Sequence, residues 1–299
     1  MTKEHATNNN QAHAGMRVGV SLPVRELQND LGAIRAFAQT AEALGLSHLR
    51  VPDQVIRPGN KHLHESLTLL AWLAGCTSTI ELVPSVVVLP VRQTALVAKQ
   101  AAEIDVLSGG RLRLGIGVGG NAEEYAAMGI NFHTRGARCS EQMQLLRRLW
   151  REPTVSFKGR FHTLTETGIN PLPVNRHIDL WIGASSDPGA AVIKRIGELA
   201  NGWFVLATPE TYPNLRARID AAARHAGRDP QSLGTEAGVA VVGERRAEWR
   251  DRIKHWRRCG LSHLCLRTLG GGLGGGPKGG DAHIQRLSEV AAEALALAA

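Results

Sequence analysis

Residues 178–206, IDLWIGASSDPGAAVIKRIGELANGWFVL, decide how the whole chain is read. An apolar run at 178–182 leads into small polar residues. Pro188 then opens a helical stretch to Leu199, and a second apolar run follows at 203–206. Short apolar runs alternating with helical stretches are the signature of βαβ units and a parallel sheet. Toward the N-terminus the same alternation gives strands at 17–22, 48–51, 80–89 and 112–118. Helices are expected between them at 31–44, 65–74 and 93–107. The run IELVPSVVVL (80–89) is almost wholly apolar, as a strand covered on both faces should be. After the fourth strand come a short helix near Glu123 and a longer one at 138–150. VSFKGRFH (155–162) then alternates around Lys158-Gly159 as an inserted hairpin. Toward the C-terminus the order is helix 212–225, strand 237–242, helix 248–258, strand 263–266 and helix 284–297. Strict alternation over about 280 residues makes eight units, which predicts an α/β fold of the (β/α)8 TIM-barrel type with insertion segments. A single barrel domain is expected over 16–299, preceded by a disordered tail at 1–15.

Composition narrows the function classes. The 299 residues are 43% hydrophobic, which excludes disorder of the whole chain. No run of about 18 apolar residues occurs, so no membrane span is expected. MTKEHATNNNQAHAG lacks an apolar core, so no signal peptide is expected either, and the cytoplasm is the expected location. The net charge is +8, but it is spread: residues 1–150 hold 15 basic and 12 acidic side chains, and residues 151–299 hold 20 and 15. That spread, with only 4% aromatic residues, argues against a nucleic-acid surface. The densest basic stretch runs from Arg245 to Arg258. There Trp249, Ile253 and Trp256 recur at helical spacing, so an apolar stripe packs inward and the basic residues form a solvated face. Cys76, Cys139, Cys259 and Cys265 form no C-x-x-C pair and read as reduced thiols, and His62-x-His64 is a weak signal. No metal site is expected.

In such a barrel the working residues sit where strands end. Asp53 and Gln54 follow the second strand, and Ser85-Val86 sit inside the third just after Pro84. The fourth strand runs into Gly119, Gly120 and Asn121. Gly115, Gly117 and Gly120 match the dinucleotide fingerprint G-x-G-x-x-G, with Glu141 about 20 residues on. Glu141 lies in a helical run, however, whereas the fingerprint's acid ends a strand. A tight turn, or backbone cleared for a flat cofactor, are the other readings of these glycines. Gly183-Ala184-Ser185-Ser186 end the fifth strand. They suit either an anion held by backbone N–H groups or a helix capped by Ser186 or Asp187. Arg135 and Arg138 are expected to pair with Glu124, Asp105 or Glu141. Tyr125 suits the core or the cofactor. The glycine-rich loop at 270–280 suits a lid or a flexible excursion.

The segment LSGGRLRLGIGVGGNAEEYAAMGINFHTRGARCSEQMQLLRRLW resembles the bacterial luciferase-like superfamily, closest to its coenzyme F420- or FMN-dependent oxidoreductases. LSHLRVPDQV, PSVVVLP and LWIGASSDPGAAVIKRIGELANGW are similar to that family in order and spacing, so the likeness spans residues 16–270. The resemblance implies a barrel that lays a flavin or deazaflavin ring at the strand C-termini. It places Asp53 at the acidic position near the ring and Ser85-Val86 at a strand-three bulge with a non-prolyl cis peptide. Gly119, Gly120 and Asn121 fall on the cofactor loop, and Gly183, Ala184, Ser185 and Ser186 on the phosphate loop. Asp53 and Gln54 are the catalytic candidates. Two departures stand out: Gln54 replaces the His of many members and cannot titrate, and Gly120 stands where Trp is frequent. The expected activity is two-electron redox of a small organic substrate with F420 or FMN, by hydride transfer or monooxygenation. An FMN-dependent monooxygenase proper and a non-catalytic flavin-binding barrel are the alternatives. The expected partners are that substrate and a second copy of the chain in a homodimer, with no nucleic acid and no membrane.

Overall fold

A computed structural model describes residues 15–57, 59, 62–269 and 276–299. Apart from Gly15, the tail expected at 1–15 lies outside the described residues, and so do residues 270–275 of the glycine-rich loop. The strands are β1 (Arg17–Ser21), β2 (His48–Val51), β3 (Glu81–Pro84), β4 (Val87–Val88), β5 (Arg113–Gly117), β6 (Val155–Lys158), β7 (Thr163–Thr167), β8 (Asp179–Gly183), β9 (Gly202–Val205), β10 (Gly234–Ala240) and β11 (His263–Arg267). The helices are α1 (Val24–Leu27), α2 (Leu31–Ala43), α3 (Ser66–Ala74), α4 (Thr94–Leu107), α5 (Ala122–Ala127), α6 (Arg135–Arg151), α7 (Ala190–Leu199), α8 (Tyr212–His225), α9 (Trp249–Arg258) and α10 (Gly280–Ala298).

All barrel pairings are parallel, in the order β3-β2-β1-β11-β10-β9-β8-β5-β4. β3 and β4 are halves of one stave, interrupted at the cis peptide between Ser85 and Val86. A parallel bridge between Leu82 and Leu112 brings β3 beside the approach to β5, which closes the ring at eight staves. The expected (β/α)8 barrel is therefore the fold, with two strand readings corrected. The third strand is broken rather than continuous. The seventh begins at Gly234, three residues earlier than its apolar pattern indicates.

Alternation along each strand sorts the barrel into two environments. Leu49, Val51, Leu114, Ile116, Leu264 and Leu266 point outward and pack with Phe37, Leu70, Leu146 and Trp150 of the helices. Full burial of such side chains contributes roughly 1.5–3 kcal/mol each, so this shell holds the helices on the barrel. The lumen is different. Val83, Trp181 and Phe204 form a small apolar cluster of their own, surrounded by charged and imidazole side chains.

Several local expectations change. The hairpin is present, but its second arm is β7, antiparallel to β6. α7 starts at Ala190 with Gly189 at its N-cap, so neither Ser186 nor Asp187 caps it; Asp187 pairs with Arg218 at 3.0 Å. Trp249, Ile253 and Trp256 are buried as expected, and Arg250 makes a two-pronged contact with Glu293. Among the described residues no helix is long and apolar enough to cross a membrane.

Candidate active site

The lumen is organised around Glu236, which is fully buried in β10. Arg50 of β2 donates to Glu236 Oε1 at 3.0 Å and Arg113 of β5 donates to Oε2 at 2.8 Å. Arg113 also reaches Glu81 at 3.0 Å and lies 4.2 Å from the centre of the Trp181 ring. His48 Nε2 stands 3.3 Å from Glu236 Oε1, and His263 packs edge-on to both His48 and Trp181. Burial alone would raise the Glu236 carboxyl, but the facing His48, Arg113 and Arg50 overcome that and hold it well below the usual carboxylate range. Burial holds both imidazoles below their ordinary value, and Arg113 adds to the effect at His263. The ligand atoms of His48, Glu236 and Cys265 lie within 4.8 Å of one another. Both Glu236 oxygens are already bonded to guanidinium groups, however, and burial pushes the Cys265 thiol up to about 11, so the trio is poorly suited to a cation.

Above this layer, two cavities open at the C-terminal ends of the strands. Ser85 faces one and Val86 the other. The Val86 cavity, about 270 Å³, brings together three loops: the break in stave three, Gly117 to Gly119, and Gly183 to Ser185. Its geometry depends on two glycines. A Cβ at Gly117 would sit 2.7 Å from Val86 Cγ2, and one at Gly183 would sit 2.9 Å from Val86 Cγ1. The absence of side chains on β5 and β8 therefore lets Val86 lie between them. Arg195 of α7 also lines this cavity; it is nearly buried and donates to Ser140 Oγ and Gly136 O. Its Nη1 makes no hydrogen bond to a described residue. Cys139, beside it, is pushed up to about 11 by burial against the pull of Arg195, and is an inert wall at neutral pH.

The other sequence-derived candidates fall as follows. Asp53 is tied to structure: it accepts from Ser66 Oγ at 2.8 Å and Arg92 Nη2 at 2.9 Å, with Val88 N at 3.4 Å from its second oxygen. It thus clamps the loop after β2 to α3 and to β4. Neither Asp53 nor Gln54 lines either of these two cavities. The loop that carries them is further held by the buried Glu124, which accepts from Val55 N at 2.7 Å. Asn121 caps α5 through Oδ1, while its buried Nδ2 has no partner among the described residues. Gly120 faces open space. Gly120, Asn121 and Ser186 do not line the Val86 cavity, whereas Gly119, Gly183, Ala184 and Ser185 do.

Other candidates are reassigned. Tyr125 is buried and its hydroxyl donates to Val118 O, a core role. Glu141 accepts from Arg160 N, Phe161 N and His162 Nδ1, so it holds the hairpin rather than a ribose. Arg135 and Arg138 donate to the carbonyls of Phe132 and Pro90 instead of the expected carboxylates. Gly115 approaches the Pro84 carbonyl too closely for any Cβ, so the G-x-G-x-x-G match reflects barrel packing. Arg50, Arg113, Arg195 and Glu236 were not singled out by sequence. The available signal was period-two alternation: in HLRV, His48 and Arg50 share the face opposite Leu49 and Val51.

Comparison with known proteins agrees with this architecture. A family model described as luciferase-like monooxygenase matches residues 16–295. An F420-dependent hydroxymycolic acid dehydrogenase of Mycobacterium tuberculosis is 31% identical over 242 residues, covering 78% of this chain and 65% of its own. A pyrimidine monooxygenase, RutA, of a Bradyrhizobium species is 34% identical over 174 residues, covering 55% of this chain and 47% of its own. The solved structure of the coenzyme F420-dependent tetrahydromethanopterin reductase of Methanopyrus kandleri superimposes with a TM-score of 0.77. That alignment covers 96% of this chain and all of the other at 16% identity, a likeness of fold.

Proposed function

The chain belongs to the luciferase-like monooxygenase family, and from that premise we propose that it is an oxidoreductase using coenzyme F420 or FMN for two-electron redox of a small organic substrate. The observation that carries the reading is the convergence of Val86, Gly119, Gly183 and Ser185, from three loops, on one cavity that also holds Arg195 and no carboxylate. A group with a flat ring and a phosphate fits those residues. Small side chains and bare backbone leave room for close approach, and the free Nη1 of Arg195 suits an anion. Ser185 and Arg195 would hold the phosphate, and Val86 would back the ring. When bound, either cofactor supplies a ring that accepts or donates an electron pair.

The protein's own contribution is position and exclusion. Asp53 fixes the loop after β2 through Ser66 and Arg92, and Arg50 fixes Ser85 through its Nε at 2.9 Å. Among the described residues, no Asp, Glu or His lines either cavity. Gln54 cannot titrate, and Asp53 is engaged on both oxygens, so proton transfer falls to substrate or solvent.

F420 is the first choice, because the F420-dependent relative matches 78% of the chain against 55–63% for the pyrimidine monooxygenases. Titration of the purified protein with FMN and with F420, followed by fluorescence quenching, tests the reading. Binding of neither defeats it. A barrel that binds the ring without turnover is the second reading, favoured by the lack of acid or base in the walls. Bound cofactor with no substrate-dependent oxidation across a broad panel would select it.

A further inference from the structure

The cavity on the Ser85 side, about 300 Å³, is lined by Arg25, Arg50, Arg252 and Arg267 and, among the described residues, by no carboxylate. These four come from α1, β2, α9 and the end of β11, so the fold assembles them from distant parts of the chain. Arg50 is the floor, held by Glu236 and Ser85 and stacked 4.6 Å from the Phe204 ring. Its charge is matched by Glu236. The guanidinium groups of the other three make no hydrogen bond or ion pair with a described residue; Glu248 and Glu210 attract that of Arg252 without bonding it. Arg252 is also the exception to the solvated basic face: its neighbour Arg250 is satisfied by Glu293, while Arg252 turns to the cavity. Apart from Ser21 and Ser85, the remaining wall is largely apolar, with Leu22, Leu206, Trp256 and Leu269 in it.

A second observation comes from β10. Gly238 lies inside a strand, where glycine is unfavourable, and a Cβ there would sit 3.0 Å from Arg267 Nε and 3.1 Å from Cζ. The missing side chain gives the Arg267 guanidinium its place against the sheet. Gathering guanidinium groups that lack a bonded counter-charge around one cavity costs stability through repulsion, as between Arg252 and Arg267, and an arriving anion relieves it.

We propose that this cavity is the substrate pocket and that it selects an organic anion, a carboxylate or sulfonate carried on an apolar body. The anionic group would meet Arg252 and Arg267, with the apolar body against Trp256 and Leu206. The assignment as substrate pocket rests on the cofactor occupying the Val86 side, as set out under the proposed function.

The test is calorimetric titration of the full chain at low salt with 4-phenylbutyrate, 3-phenylpropanesulfonate and the uncharged 4-phenylbutyramide. At least one anion should bind about tenfold or more tightly than the amide, the step expected for one charge-assisted hydrogen bond. Whichever anion binds more tightly names the headgroup. The preference should vanish in Arg252→Gln/Arg267→Gln and survive in Arg267→Lys, which keeps the charge and controls for folding. FMN and F420 affinities should be unchanged in the double variant. Equal binding of anions and amide overturns the proposal, and so does a preference that persists in the double variant. Loss of cofactor affinity together with the anion preference also overturns it, since the arginines would then belong to the cofactor. If the unsubstituted chain prefers the anions yet binds neither cofactor, the anion pocket stands and the cofactor reading falls.

Discussion

Arg50 bonds Glu236 Oε1 at 3.0 Å with one nitrogen while its Nε holds Ser85 Oγ at 2.9 Å, so a single guanidinium links the buried charge layer to the cavity floor. The link explains why a barrel lumen carries so costly a set of groups. Glu236, Arg113 and His48 have essentially no solvent. Removing such charges from water is unfavourable unless they are paired, and here the pairing sets the position of a residue at the active end.

Glu236→Gln should therefore be strongly destabilising. The substitution keeps size and shape but leaves Arg50 and Arg113 without their shared counter-charge. The expected loss is about 3–5 kcal/mol, as for other broken buried pairs. Urea denaturation followed by circular dichroism measures it. A loss under about 1 kcal/mol would mean that water or Glu81 compensates, contrary to this account.

Acid should weaken the fold from a higher pH than carboxylates alone would set. The folded pKa of His263 lies well below 6.5, and that of His48 lies below it too. The unfolded chain thus takes up protons that the fold refuses. Their contribution is fully present above the unfolded imidazole value, and it shrinks as pH falls through about 6.5. Glu236 has the same sign in a lower window: its stabilisation is present above the ordinary carboxylate range and lost as pH falls through its depressed folded value. The Tm should decline between pH 7.5 and 5.5, and less steeply in His263→Gln. An identical slope in that variant would remove His263 from the explanation.

The sequence exposed the outside of the barrel more readily than its inside. Outward residues such as Leu49, Val51, Leu264 and Leu266 are apolar at every second position and mark their strands unaided. β10 opens with Gly234, Thr235 and Glu236, which read as loop because Glu236 faces a polar lumen. The glycines were legible as a group but not by role. Gly117 and Gly183 accommodate Val86, Gly238 accommodates Arg267, and only three-dimensional contacts separate these uses. The break after Pro84 lies inside an almost wholly apolar run marked only by Ser85, so hydropathy gave little sign of it, and the family resemblance supplied the expectation. Arg195 was hidden because it lies within α7, well past the loop it serves.

Arg195→Gln should weaken phosphate-bearing cofactors selectively. One charge-assisted hydrogen bond contributes about 1.5–3 kcal/mol, so FMN affinity should fall roughly ten- to hundred-fold. Riboflavin, which has the ring but no phosphate, should bind unsubstituted protein and variant alike. Parallel fluorescence titrations make the comparison. A similar loss for riboflavin would show that Arg195 acts only through Gly136 and Ser140, by holding the wall.

The contact between Val86 and the two glycines can be tested by compensation. In Gly183→Ala the new methyl would lie 2.9 Å from Val86 Cγ1 and 3.0 Å from Cγ2, closer than carbon atoms pack, so Val86 must move. Overpacking of this kind costs about 1–3 kcal/mol. Val86→Ala alone opens space and costs a smaller amount for a half-buried side chain. The double variant Val86→Ala/Gly183→Ala removes the clash, so it should be more stable than the sum of the two single losses predicts. A coupling of about 1 kcal/mol or more in a double-mutant cycle is expected for side chains in direct contact. Strict additivity would mean that Val86 swings clear at no cost. Cofactor titration of the same four proteins then asks whether the displaced Val86 still backs the ring. The double variant should retain more affinity than Gly183→Ala, because its alanine at 86 no longer competes with the methyl at 183 for the cavity wall.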